Sequence, residues 1–203
     1  MELKKKLIIT IGREYGSGGR AVAEKLGKTL SMPVYDKNML TMAAQKSGID
    51  VEYLASEDER LTNPLFEPYV PFGADSGSLG ERLFDIQRRI IKEKAAASSS
   101  IFVGRCSDQI LAGYENTFHF FIYAPRLQRI KRIMEVEQIQ ECSAAERILK
   151  KVDKQRKSYY QFFTDQKWGS TEGKDMMLNT GTLGVDGAAQ VILDFLRVKG
   201  YVE

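Results

Sequence analysis

Short apolar runs alternate with longer segments of helical periodicity along most of the chain. Five runs predict strands, at residues 7–11, 33–35, 101–103, 118–123 and 176–178. The runs contain few polar residues, which is typical of parallel strands that are covered on both faces. The sequence therefore predicts an α/β fold, in which helices pack on both sides of a five-stranded parallel sheet.

Helical periodicity fills most of the remaining chain. Helices are predicted at residues 18–30, 37–46, 51–61, 83–95, 126–137, 143–163 and 187–199. Ser143 and Glu146 have the spacing of a capping box, and Asp186 is the expected cap of the last helix. Several prolines and glycines within residues 62–80 predict a loop in the middle of the chain.

Polar and glycine residues follow the predicted strands. They are residues 12–19, Asp36, residues 104–105 and residues 179–180. In a parallel sheet with helices on both faces, ligands bind beside the carboxyl ends of the strands. The sequence therefore predicts a binding site along this edge.

Residues 12–19, the glycine loop, have the composition of a phosphate-binding loop. Glycines at such a turn let several backbone N–H groups converge on an anion, and the positive end of the following helix adds to the field. The P-loop pattern G-x-x-x-x-G-K-[ST] is incomplete, because Gly19 stands at the lysine position and Arg20 at the hydroxyl position. Arg20 or Arg13 could supply the missing charge. A tight turn that binds no ligand is the alternative.

Cationic side chains are also concentrated near the predicted edge. Arg105 follows Gly104 after the third strand, where a guanidinium offers a two-pronged donor to phosphate. Arg126, Arg129 and Arg132 share one face of the helix after the fourth strand. The next helix is also basic. Such a pair of helices is typical of a lid that brings cations over a transferring phosphoryl group, although charge runs are usually solvated faces.

Composition narrows the class of protein. The chain has 203 residues, 43% hydrophobic and 28% charged, which fits one α/β domain with room for a lid. A net charge of +3 favours neither a nucleic-acid nor a membrane partner. Two cysteines and one histidine argue against a zinc or disulfide framework. Because no apolar run has the length of a signal peptide core or a membrane span, we expect a cytoplasmic protein.

Three other features have a structural and a functional interpretation. His119, inside the fourth strand, is expected to pack or bond locally. Trp168 with Tyr159 and Tyr160 could stack a nucleobase, but aromatic residues at helical spacing are more typical of a core. Cys106 is near the predicted site and has no neighbouring base in the sequence.

The ordered set of motifs resembles the cytidylate kinase-like family, a branch of the P-loop nucleoside monophosphate kinases. The motifs are Ile9-Thr10-Ile11-Gly12-Arg13-Glu14-Tyr15-Gly16-Ser17-Gly18-Gly19-Arg20, Tyr35-Asp36, Val103-Gly104-Arg105, Ala124-Pro125, Asp153-x-x-Arg156 with Tyr159-Tyr160, and Leu178-Asn179-Thr180. The resemblance covers almost the whole chain. It implies a three-layer α/β/α fold of the P-loop NTPase type, and phosphoryl transfer from ATP, with Mg²⁺, to CMP or dCMP.

The resemblance also implies a division of the chain and a set of site residues. The core comprises residues 1–35, 100–125 and 175–203, the monophosphate-binding insertion residues 36–99, and the lid residues 126–174. ATP would be bound by Gly12, Arg13, Gly16, Ser17, Gly18, Gly19 and Arg20. The acceptor would be bound by Asp36, Lys37, Gly104 and Arg105. The catalytic group would be Arg20, Arg129, Arg132, Asp153 and Arg156, and no metal ligand is assigned.

The chain departs from the family pattern beyond the missing lysine. Cys106 replaces the aspartate that helps to organise Mg²⁺, and Met42 falls where the classical enzymes place a second monophosphate-binding arginine. Two alternatives therefore stay open. One is a nucleotide- or phosphate-binding protein without turnover, and the other is a kinase for a different small acceptor.

Overall fold

The computed structural model describes residues 1–36, Met42 and residues 79–203. Five strands in these ranges form one sheet. They are β1 (Ile8–Arg13), β2 (Val34–Tyr35), β3 (Ser100–Val103), β4 (Thr117–Tyr123) and β5 (Met176–Asn179). Their order is β2-β3-β1-β4-β5, and all neighbours pair in parallel, as predicted.

Helices cover both faces of this sheet. They are α1 (Gly19–Leu30), α2 (Leu79–Ala97), α3 (Ser107–Ile110), α4 (Arg126–Val136), α5 (Cys142–Thr164) and α6 (Thr180–Val198). Ile9, Ile11 and Phe120 pack with α1 and α6 on one face, and Ile8 and Phe102 pack with α2 on the other. This three-layer arrangement confirms the predicted fold class. The predicted helix at 51–61, Lys37, the predicted helix at 37–46 except Met42, and residues 62–78 of the predicted loop lie outside the described residues. Residues 79 and 80, predicted as the end of that loop, instead begin α2.

The register of the sheet determines which residues meet at its carboxyl edge. Ile11 in the central strand pairs with Val103, and Arg13 pairs with Ile122. The N–H of Gly104 donates to the carbonyl of Ile11 over 3.1 Å. Arg13 therefore leaves the sheet directly beside Gly104, which brings the first and third strands to one site.

Two predicted helix caps are wrong. Helix α5 begins before Ser143, with Glu141 at the cap position and no side-chain cap. Glu146 does not reach back to the helix start, because its carboxylate pairs with Arg126 and Lys150. Ser143 is therefore inside the helix.

Helix α6 likewise begins before its predicted cap. Its N-cap is Asn179, whose Oδ1 accepts from Gly181 N over 2.9 Å. A kink at Gly184, with φ of 69°, interrupts the helix before Asp186. Asp186 pairs with Lys25 instead of capping. No helix within the described ranges is long and apolar enough to cross a membrane.

Candidate active site

A cavity of about 700 Å³ opens where β1 and β3 end. It is lined by most of the residues that the sequence singles out: Gly12, Arg13, Gly16, Gly18, Gly19, Arg20, Asp36, Gly104, Arg105, Arg132 and Arg156. Ser17 is fully buried, and neither it nor Arg129 nor Asp153 is among the lining residues. The structure thus brings the predicted donor and acceptor residues to one site and places three others behind its wall.

The glycine loop turns β1 into the start of α1. Gly16 and Gly18 have φ of 72° and 81°, values that favour glycine. Gly18 is the N-cap of α1 and offers no side chain to it. The first helical bond runs from Val22 N to Gly18 O. The N–H groups of residues 18–21 therefore have no acceptor within the helix, and an anion at the helix start can accept from them.

Hydrogen bonds hold the carbonyl oxygens of the loop. Ser17 donates to Glu14 O from its N–H at 3.3 Å and its Oγ at 2.8 Å. Thr180 Oγ1 donates to Ser17 O over 2.5 Å, which ties the loop to the start of α6. Because the carbonyl oxygens of Glu14 and Ser17 accept these hydrogen bonds, they are directed at those donors and not at the place where an anion would bind.

Arginines from α4 and α5 bind the same loop. Arg129 donates to Tyr15 O over 3.2 Å, Arg132 to Gly16 O over 2.8 Å and Arg156 to Arg13 O over 3.1 Å. Asp153 accepts from Tyr15 N over 2.8 Å. The two helices predicted as a lid thus lie directly on the glycine loop.

Arg129 is the best-paired cation of this group. Its side chain is 9% exposed and lies 2.5 Å from Asp153 Oδ2. Its Nε lies 3.4 Å from Glu14 Oε2 and forms no hydrogen bond with any described residue. Glu14 also accepts from Ala124 N over 3.2 Å. Burial raises the pKa of Glu14, and the Arg129 guanidinium opposes that shift. This buried set joins α4, α5 and the loop.

Arg13 is surrounded by other cations. Burial, and then the charges of Arg156, Arg105 and Arg20, lower its pKa to about 9, whereas Asp36 acts in the opposite direction. Asp36 Oδ1 lies 3.5 Å from Arg13 Nη2, and Asp36 Oδ2 lies 3.5 Å from Arg20 Nε. A guanidinium remains charged at neutral pH with such a pKa, so positive charge accumulates at the cavity.

Arg105 belongs to a run of unusual backbone conformation. Gly104, Arg105 and Cys106 have φ of 71°, 57° and 54°. For residues other than glycine this region costs roughly 1–2 kcal/mol each, and such strain is concentrated at functional sites. The run ends β3 abruptly and holds Arg105 in the cavity wall, with its guanidinium 5.9 Å from the centre of the Tyr159 ring.

A family model described as the cytidylate kinase-like family matches residues 8–182. The chain belongs to the cytidylate kinase-like family. No curated protein matches it. A solved structure of an uncharacterized protein from Eubacterium ventriosum ATCC 27560 is 29% identical, with a TM-score of 0.72, over 95% of this chain and 99% of that one.

Two shikimate kinases share the fold of this family member. The enzyme from Bacteroides thetaiotaomicron is 12% identical, with a TM-score of 0.56, over 95% of this chain and 99% of its own. The enzyme from Acinetobacter baumannii, solved in complex with shikimate, is 14% identical, with a TM-score of 0.51, over 97% and 95%. At these identities the likeness establishes the P-loop kinase fold.

The cavity wall of this cytidylate kinase-like chain also contains an ion pair that the sequence does not predict. Lys174 Nζ lies 2.7 Å from Asp108 Oδ2, and the two side chains are 4% and 9% exposed. Tyr160 donates to the same oxygen over 2.8 Å, and burial followed by the Asp108 charge raises the pKa of Tyr160. Only the position of Asp108 shortly after Arg105 could have indicated this group, because Lys174 stands in a polar loop without a motif.

The remaining candidate side chains have structural surroundings. His119 Nδ1 lies 2.8 Å from Thr10 Oγ1, and burial lowers the pKa of His119, as expected for a locally bonded residue. Cys106 is buried and burial raises the pKa of its thiol, which disfavours a reactive thiolate. Trp168 packs edge to face on Phe121 and also lines the cavity.

Proposed function

We propose that the protein is an ATP-dependent kinase of a nucleoside monophosphate, with CMP and dCMP as the first candidates. One observation carries the proposal: the glycine loop and the start of α1 open into a cavity whose wall contains Arg13, Arg20, Arg105, Arg132 and Arg156. Phosphoryl transfer is catalysed mainly by positioning and by neutralising charge. This site supplies both through backbone N–H groups and guanidinium groups.

The donor phosphates would bind at the loop. The N–H groups at the start of α1 would bind their oxygens, and Arg132 and Arg156 would reach over them from the lid helices. A guanidinium has five N–H donors, so the bonds of Arg132 and Arg156 to loop carbonyls leave other donors for phosphate. Arg129 and Asp153, behind the wall, would hold the loop in position.

The acceptor would bind at the other end of the cavity. Arg105 would bind its phosphate, and the faces of Tyr159 and Trp168, which line the wall, would contact its base. Asp36 lies between Arg13 and Arg20 and would separate them when no anion is present. The lid helices, which lie on the loop, would exclude water from the transfer.

The Mg²⁺ that accompanies ATP in kinases supplies charge neutralisation at the transferring phosphoryl group. Within residues 1–36 and 79–203 no group of three acidic, histidine or cysteine side chains could hold a metal ion. In kinases Mg²⁺ takes most of its ligands from phosphate and water.

A different small acceptor is the second candidate. Met42, at the position of a phosphate-binding arginine in the classical enzymes, packs against the apolar cluster around Phe102. The Asp108–Lys174 pair offers both an acceptor and a donor to a hydroxylated ligand. Two shikimate kinases share the fold, so alcohols of that kind belong in the acceptor panel.

An acceptor panel tests the proposal. ADP release from MgATP would be measured with CMP, dCMP, UMP, AMP and hydroxylated small acids, against a blank without acceptor. We expect acceptor-dependent release with CMP or dCMP. Release with an alcohol alone would support the second candidate. Tight ATP binding without release for any acceptor would indicate a binding protein and contradict the kinase.

A further inference from the structure

The steric surroundings of Gly19 explain why no lysine stands there. A Cβ on Gly19 would lie 2.5 Å from Arg13 Cβ and 3.2 Å from Ile122 Cβ. Real Cβ atoms do not approach a neighbouring side chain so closely without a shift of the backbone. The start of the Arg13 side chain thus occupies the space that a lysine at position 19 would need.

A second glycine accommodates the other end of the same side chain. A Cβ on Gly104 would collide with the Arg13 guanidinium. Arg13 therefore extends from the end of β1 past Gly19 to the end of β3, and glycine occurs at both places where it passes. A lysine on α1 is replaced here by an arginine on β1, together with two small residues that make room for it.

The charges around Arg13 call for an anion. Arg20, Arg105 and Arg156 all disfavour its charged form, and Asp36 favours it. Charge-assisted hydrogen bonds from arginine to carboxylate are about 2.7–2.9 Å long. At 3.5 Å, Asp36 is too distant to form a strong bond to Arg13. A phosphate would relieve the repulsion more fully than this carboxylate does.

Arg20, the other candidate for the missing charge, faces away from this position. Its side chain is 53% exposed, and its Nε lies 2.9 Å from Glu24 Oε1, one turn further along α1. Such exposed i, i+4 pairs are typical of a solvated helix face. Arg13, whose side chain is 20% exposed, is the less exposed of the two.

We propose that Arg13 takes the place of the P-loop lysine and binds the terminal phosphates of the nucleotide through its guanidinium, with Gly19 and Gly104 as the residues that admit its side chain. The inference rests on the proposed function of the cavity as a nucleotide-phosphate site. Arg13, on β1, would thus supply the positive charge that a lysine at position 19 supplies in the P-loop pattern.

Calorimetric titration with ATP and with tripolyphosphate tests this assignment. The variants are Arg13→Met, Arg13→Gln, Arg20→Met and, as a control on the exposed side of α4, Lys131→Met. One charge-assisted contact corresponds to a loss of roughly tenfold to hundredfold in affinity. We expect that loss for both Arg13 variants and both ligands, a smaller loss for Arg20→Met, and no change for the control. Arg13→Gln keeps much of the side-chain volume and provides the test if Arg13→Met does not fold.

A double substitution restores the classical arrangement. Gly19→Lys alone should weaken ATP binding, because the new side chain collides with Arg13. The double variant Arg13→Gly with Gly19→Lys should bind ATP at least tenfold more tightly than Arg13→Gly alone, since the lysine then has room. Two results would overturn the assignment and leave the nucleotide site in place. One is wild-type affinity for ATP in both Arg13→Met and Arg13→Gln, and the other is no recovery of affinity in the double variant. No binding of ATP by the wild-type protein would overturn the proposed function and the assignment together.

Discussion

Arg129 is buried and Arg13 is half-buried beside the glycine loop, and the charges that surround them have opposite signs. Arg129 forms a close ion pair with Asp153 and has a second carboxylate, Glu14, at 3.4 Å. Arg13 lies among three arginines and has one carboxylate at 3.5 Å. A buried cation with matched partners is part of the scaffold, whereas a crowd of like charges in a cavity indicates a ligand site. We therefore expect that substitution of Arg129 lowers the stability of the protein, and that substitution of Arg13 weakens ligand binding.

The largest effect is expected for Arg129→Met. The substitution leaves Asp153 and Glu14 without their buried partner, which should cost about 3–5 kcal/mol of unfolding free energy. Urea denaturation measures this loss. Lys131→Met, on the exposed side of the same helix, should change it by less than about 0.5 kcal/mol. Equal behaviour of the two variants would mean that the ion pair does not hold the loop.

The contact between the loop and α4 is probed by Gly16→Ala. The new Cβ would lie 2.7 Å from Arg129 O, at a φ of 72°. Gly113 has a φ of 78°, and a Cβ added there would meet nothing within 4 Å. Gly113→Ala therefore measures the cost of the positive φ without a steric clash. We expect a loss of about 1 kcal/mol at Gly113 and about 2–4 kcal/mol at Gly16. Equal losses of unfolding free energy in the two variants would show that α4 moves away from the loop at no cost and is not fixed on it.

A gain of stability is expected for Arg105→Gly. Glycine relieves the positive φ of 57° and removes one of the like charges, which should add about 1 kcal/mol to the unfolding free energy. Gln138→Gly is the matched control, because Gln138 is exposed and has a φ of 54°. We expect Arg105→Gly to stabilise the protein more than the control does, and to weaken binding of the acceptor. A destabilised Arg105→Gly protein would show that this arginine holds the fold together.

The smallest effect on stability is expected for Arg13→Met. Folding lowers the pKa of Arg13, so its charged form is less favourable in the folded protein than in the unfolded one, at every pH below the folded value. Removing the charge should therefore leave the unfolding free energy unchanged within about 0.5 kcal/mol, or raise it. Urea denaturation beside Arg129→Met gives the comparison directly. A loss similar to that of Arg129→Met would refute the contrast between the two sites.

The sequence predicted the five strands and their parallel pairing, because short apolar runs that alternate with helices are typical of a parallel sheet. It also predicted the edge of the sheet at which the cavity opens, since Gly16, Asp36 and Arg105 each follow a strand. The predicted caps of α5 and α6 were wrong because Glu146 and Asp186 form ion pairs with distant segments. The pairing of Lys174 with Asp108 likewise joins distant segments, and no local pattern encodes it.

The roles of the arginines could not be read from spacing. Arg129 and Arg132 belong to the same helix face, yet Arg129 is buried behind the cavity and Arg132 lines it. Arg13 stands in a strand, and the sequence gives no sign that its side chain passes Gly19 and Gly104. Those relations depend on packing between β1, α1 and β3, which only the folded chain reveals.

A crystal structure with a non-hydrolysable ATP analogue tests the central claim most directly. We predict that its terminal phosphates lie within about 3 Å of the Arg13 guanidinium and of the N–H groups at the start of α1. Arg13 would then have exchanged its long contact with Asp36 for phosphate. Phosphates bound outside the glycine loop, or held there while Arg13 stays at Asp36, would contradict the account.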